Sequence, residues 1–111
     1  MQNNPIEKTI MATTNNLISF ASINVNGLGK PGKRSRVFAG LELLNCDVYF
    51  IQETHLNSSN LVAQYAAEWK GQSVWSVSPH RASKGVAVLL KNQLNIKILN
   101  TVHDPEEDTV L

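Results

Sequence analysis

Four consecutive apolar residues, Val48-Tyr49-Phe50-Ile51, run directly into Gln52-Glu53-Thr54-His55. So short and unbroken an apolar run describes a buried, central strand. A carboxylate at the end of such a strand is costly unless a cation or hydrogen bonds compensate it. Glu53 therefore reads as a placed group. A second strand-like segment, residues 17–23, ends in Asn24-Val25-Asn26-Gly27-Leu28, and its alternation suits a strand covered on both sides. Between the two, Val37, Phe38, Leu41 and Leu44 recur at helical spacing over residues 33–45, with Asn45 as the stop. Strand, helix and strand with short connections predict a parallel pair with a right-handed crossover. Both polar strand ends then meet at one rim, where open α/β sheets place their sites.

Beyond His55, Ser58 is a suitable N-cap for a second helix carrying Leu61, Val62, Tyr65, Ala66 and Trp69 on one stripe, ended by Gly71. Three strands are expected after it, at residues 73–77, 85–90 and 94–102. A polar loop at 78–84 and a turn at 91–93 separate them. The acidic run 104–108 reads as a solvated turn, and residues 109–111 as the start of another strand. Residues 1–16, rich in Asn and Thr, are expected to form a disordered lead-in, with Met11 as an alternative start.

The bulk numbers exclude several classes. With 111 residues, 42% hydrophobic and 17% charged, the chain has the composition of one small globular domain. One cysteine, Cys46, rules out an internal disulfide, fits a reducing compartment, and lies where a core thiol belongs. The longest apolar stretch, residues 86–90, is too short to span a bilayer, and residues 1–16 lack the apolar centre of a signal peptide. A net charge of +1 neither indicates nor excludes nucleic acid, which needs a local basic surface.

Three segments, Ile23-Asn24-Val25-Asn26-Gly27-Leu28, Ile51-Gln52-Glu53-Thr54-His55-Leu56 and Lys84-Gly85-Val86-Ala87-Val88-Leu89, resemble successive signatures of the endonuclease/exonuclease/phosphatase superfamily. Their form is most similar to the endonuclease domain of LINE-type (non-LTR) retrotransposons, and Asn26, which is Asp in many AP endonucleases, follows that branch, as does His55. The resemblance spans residues 17–111. It implies an α/β (α+β) fold, the first half of a four-layer α/β/β/α sandwich, and a phosphodiesterase using Mg²⁺, with Mn²⁺ as a substitute. On that resemblance Glu53 matches the metal-binding glutamate and Asn24 an active-site asparagine. Asn26 is a candidate catalytic or phosphate contact.

The family's general-base histidine, its partner aspartates and its Asp-x-Asn segment match nothing here. His103 sits in the acidic turn. The chain is thus expected to be a truncated domain that does not nick DNA alone. DNA as partner, no membrane, a reverse transcriptase domain downstream in an intact element, and an intracellular, nuclear location are further implications. Alternatives stay open: a non-catalytic DNA- or partner-binding half-domain, or a phosphatase of the same superfamily. From the residues themselves, Glu53 also suits a carboxylate held by backbone amides, and Asn24 and Asn26 suit turn chemistry. Lys30, Lys33, Arg34 and Arg36 at a helix start oppose its dipole, which makes Lys33 and Arg34 candidate DNA contacts. Arg81 and Lys84, in the polar loop, are candidates of the same kind, and Trp69 and Trp75 read as core.

Overall fold

Strands β2 (Leu17–Asn24) and β3 (Val48–Gln52) run parallel, from Phe20 opposite Val48 to Asn24 opposite Gln52. The molecule, a computed structural model, is described over residues 6–12, 17–56, 58–77 and 84–92. Asp47 sets the start of the register: its Oδ2 accepts from Ser19 N at 2.9 Å, and its own N–H donates to Ser19 O at 3.0 Å. Helix α1 (Pro31–Leu44) makes the crossover, with proline in its first turn and Asn45 as a left-handed C-cap. Helix α2 (Ser59–Ala66) starts from Ser58, whose side chain accepts from Asn60 N. It ends before Gly71, and Trp69 reaches the core from the following turns rather than from the helix.

Residues 6–12 belong to no lead-in. They form strand β1 (Ile6–Ala12), antiparallel to β2 from Ile6 opposite Ile23 to Ala12 opposite Leu17. The β-branched residues Ile6, Thr9 and Ile10 suit a strand, a local preference masked by the Asn-rich flanks. Among the described residues, strands β4 (Ser73–Ser76) and β5 (Val86–Leu90) join a mixed five-stranded sheet in the order β1-β2-β3-β5-β4, with β3 central as expected. The expected strand at 94–102, the turn at 104–108, the strand start at 109–111, and His80, Arg81 and His103 lie outside the described residues.

Alternation along the strands separates two faces. Ala21, Tyr49, Ile51, Ala87 and Leu89 pack with Phe38 and Leu41 of α1 and with Trp69, whose ring lies 5.5 Å from both Phe38 and Tyr49. Cys46 is buried in this core, and Trp75 packs against its margin. A smaller cluster of Leu56, Tyr65 and Val77 seats α2. The opposite face carries Phe20 and Phe50, stacked at 5.9 Å, and Phe50 is 40% exposed. The expectation that β2 is covered on both sides is therefore corrected: Ile18, Phe20 and Ser22 are half-buried. What is established is a mixed α/β sheet with two helices among the described residues.

Candidate active site

The three motif segments converge at the C-terminal ends of β2 and β3. Main-chain hydrogen bonds zip them together: Val25 N to Gln52 O (3.0 Å), Gly27 N to Glu53 O (2.7 Å) and Leu28 N to Thr54 O (2.9 Å). On the other side Thr54 N donates to Gly85 O at 3.0 Å and His55 N to Lys84 O at 2.8 Å. The segment 53–55 is thus held between the Asn24–Leu28 turn and the start of β5.

Backbone strain collects here. Five of the six described residues with positive φ are Asn26, Gly27, Glu53, His55 and Gly85; the sixth, Asn45, is a helix cap. A left-handed backbone costs a non-glycine residue roughly 1–3 kcal/mol, and it persists only where the surroundings over-determine it. Glu53 and His55, at φ of 55° and 60°, are two such residues in one tripeptide. Gly85 is required for a steric reason as well, because a Cβ there would lie 2.4 Å from Thr54 Oγ1.

This geometry turns Glu53 toward Asn24. The Asn24 side-chain amide donates to Glu53 Oε2, while its Oδ1 accepts from Asn26 N at 3.0 Å. Asn24 therefore holds both the carboxylate and the turn, and turn chemistry is part of its role. The other carboxylate oxygen, Oε1, lies 3.5 Å from His55 Nε2, beyond ordinary hydrogen-bond length. That buried nitrogen has no hydrogen-bond partner among the described residues. The imidazole packs on Gly27, where a Cβ would lie 3.0 Å from Nδ1. Asn26 is exposed at the lip.

The basic candidates divide. Lys33 donates from Nζ to Asn26 O at 2.9 Å, which fixes an ammonium beside the lip. Arg34 is corrected as a DNA contact: it is 4% exposed, and its guanidinium is engaged within the fold. Its Nε donates to Glu68 Oε2 at 2.8 Å, a terminal nitrogen donates to Leu28 O at 2.9 Å, and the group lies 3.6 Å over the Tyr65 ring. Lys84 is exposed, and its carbonyl secures His55. Sequence reasoning missed the Arg34–Glu68–Tyr65 tie and the closeness of His55 to Glu53. Arg34 carried a signal, since it shares the buried stripe of α1 with Phe38 and Leu41.

A divalent cation fits this donor set as a partial shell. Glu53 offers one carboxylate whose side chain is 43% exposed, and no cluster of three or more His, Cys, Asp or Glu exists among the described residues. Mg²⁺ keeps several waters and is commonly held by one or two carboxylates plus substrate phosphates. Glu53 is sufficient as such a foothold. No protein-family model matches the chain. Among the described residues no helix is long and apolar enough to cross a membrane.

Proposed function

We propose that this rim is the cation- and phosphate-holding part of a Mg²⁺-dependent phosphodiesterase acting on DNA, of the retrotransposon-endonuclease type. The observation that carries the reading is the Asn24 amide held on the Glu53 carboxylate across the ends of two parallel strands, in a segment kept in strained conformation. When bound, the cation supplies charge stabilisation at the phosphate and the leaving oxygen. Glu53 anchors it through a carboxylate already oriented by Asn24. Asn24 keeps that carboxylate from rotating away and presents amide hydrogens beside the place a phosphate would occupy. Lys33 adds positive charge at the lip, and exposed Asn26 offers a further polar contact.

The apolar face bearing Phe20 and Phe50 is where the second sheet of a four-layer sandwich would pack, and its partial exposure supports that architecture. DNA is the proposed substrate, with a reverse transcriptase domain and a nuclear location as the setting of an intact element. The test joins this chain to the complementary half of a full-length member of the superfamily and follows plasmid nicking against Mg²⁺ concentration. Glu53→Gln should raise the Mg²⁺ requirement and lower the rate. Asn24→Ala should lower the rate by on the order of 10²-fold, the scale of a small misplacement at a reacting centre, and, because it frees the Glu53 carboxylate, should raise the Mg²⁺ requirement less than Glu53→Gln does. Two mutants that both match the unmutated chimera would overturn the assignment.

A further inference from the structure

We propose that the cleft at the start of β3, the end of that strand away from Glu53, binds a free α-amino acid with a small aliphatic side chain, held as its zwitterion. Three chain segments frame it. The last turn of α1 supplies Glu42 and the left-handed cap Asn45, the turns after α2 supply Trp69 and Lys70, and the exit of β5 supplies Lys91. Tyr49 and Trp69 form the floor, their rings edge to face at 5.5 Å. The polar atoms of both are already engaged: the Tyr49 hydroxyl donates to Leu41 O at 2.6 Å, and the Trp69 indole N–H donates to Leu90 O at 2.8 Å. What the floor offers a ligand is therefore apolar. The frame is also fixed, since Lys91 N donates to Asp47 O at 2.9 Å and a Cβ at Gly71 would clash with Leu90 O.

The walls carry both signs of charge. Glu42 stands at the C-terminal end of α1, where the helix dipole adds negative potential and no basic residue lies in the last turn to offset it. Lys70 and Lys91 bring two positive charges to the same cavity. Among the described residues, none of these three charged groups forms an ion pair or a hydrogen bond. The acid and the lysines are thus too far apart to neutralise one another, and a ligand bearing an ammonium and a carboxylate can span them. Asn45 offers an amide that can serve either group. Size then selects within that class. The cavity is about 230 Å³, and at about 30 Å³ for each water in the liquid it has room for about eight heavy atoms. Valine and leucine are of that size, whereas a nucleotide is far larger.

The experiment titrates L-leucine into the full chain and follows proton–nitrogen correlation spectra. The indole N–H of Trp69 is told from that of Trp75 by Trp75→Phe. Saturable shifts should appear at that indole and at the amides of Glu42, Asn45, Lys70 and Lys91, with a Kd on the order of 1 mM for so small a ligand. Two relatives of leucine separate the charges: isocaproate lacks the ammonium and leucinamide lacks the carboxylate. Each should bind about 3- to 10-fold more weakly, the scale of one charged contact at a partly exposed site. Glu42→Gln should abolish the preference for leucine over isocaproate. Lys70→Met with Lys91→Met should abolish the preference over leucinamide. These are exposed or half-buried positions, and thermal melts confirm that the variants fold. No shift at these residues well above that Kd overturns the proposal. So does equal binding of leucine and either relative, which would make the cleft a simple anion or cation site, and so do preferences that survive both sets of substitutions.

Discussion

Replacing Arg34 by Met should destabilise the fold by about 2–6 kcal/mol. Methionine fills much of the same volume, so the cost comes from the lost polar contacts rather than from a cavity. Leu28 is fully buried, and its carbonyl loses the donor at 2.9 Å. An orphaned buried acceptor costs about 1–3 kcal/mol. The guanidinium over Tyr65 is desolvated, its side chain 5% exposed, which puts that contact near about 1–2 kcal/mol. The ion pair adds less than about 1 kcal/mol, because Glu68 is 37% exposed and regains water. The melting temperature should fall on the order of 10–20 °C for a domain of this size. Urea melts of the full chain measure the difference, with Lys33→Met as the control, expected within about 0.5 kcal/mol as a surface change. A variant at position 34 that is as stable as wild type and merely binds DNA less well would refute the burial of Arg34 and restore it as a phosphate contact.

Gly85→Ala should cost at least about 2 kcal/mol by chemical denaturation, since it adds left-handed strain at φ 102° to a 2.4 Å clash with Thr54 Oγ1; a neutral effect would mean that the Thr54–Gly85 junction is loose. Tyr49 donates to Leu41 O at 2.6 Å and accepts from Cys46 N, and burial raises its pKa above the usual tyrosine value. The neutral phenol is thus favoured in the folded state, so its stabilisation is full below about pH 10 and is lost as pH rises from there through the folded-state pKa. Tyr49→Phe should cost about 1–3 kcal/mol at pH 7, and the gap should narrow above about pH 10 in paired melts; a constant gap would contradict this. Phe50→Ser should reduce hydrophobic-dye binding and self-association by the full chain, measured by fluorescence and sedimentation; unchanged values would show that the Phe20–Phe50 face attracts no apolar partner.

Much of the fold was legible because burial pattern and turn chemistry agreed. The unbroken run before Gln52 is the central strand, Asn45 ends α1 in the left-handed conformation, and Ser58 caps α2. Strand β1 was illegible because its alternation is short and sits between polar segments that dominate the composition. Within the site, proximity of Asn24 and Glu53 followed from parallel strands ending together. The contact between His55 and Glu53 did not, since it depends on two positive φ values that a glutamate and a histidine do not advertise. Arg34 was misread because charge outweighed its position: counting the helical stripe through Phe38 and Leu41 places it inward, whereas Arg36 points out to solvent.

DNA-binding anisotropy of the full chain with and without Mg²⁺ tests whether the Asn24–Glu53 rim uses a divalent cation to engage a nucleic-acid phosphate. A short duplex should bind more tightly when Mg²⁺ is added, and that strengthening should disappear in Glu53→Gln while the Mg²⁺-free binding persists. Binding of equal strength with and without Mg²⁺, unchanged by Glu53→Gln, would contradict it and leave a metal-independent binding module in its place.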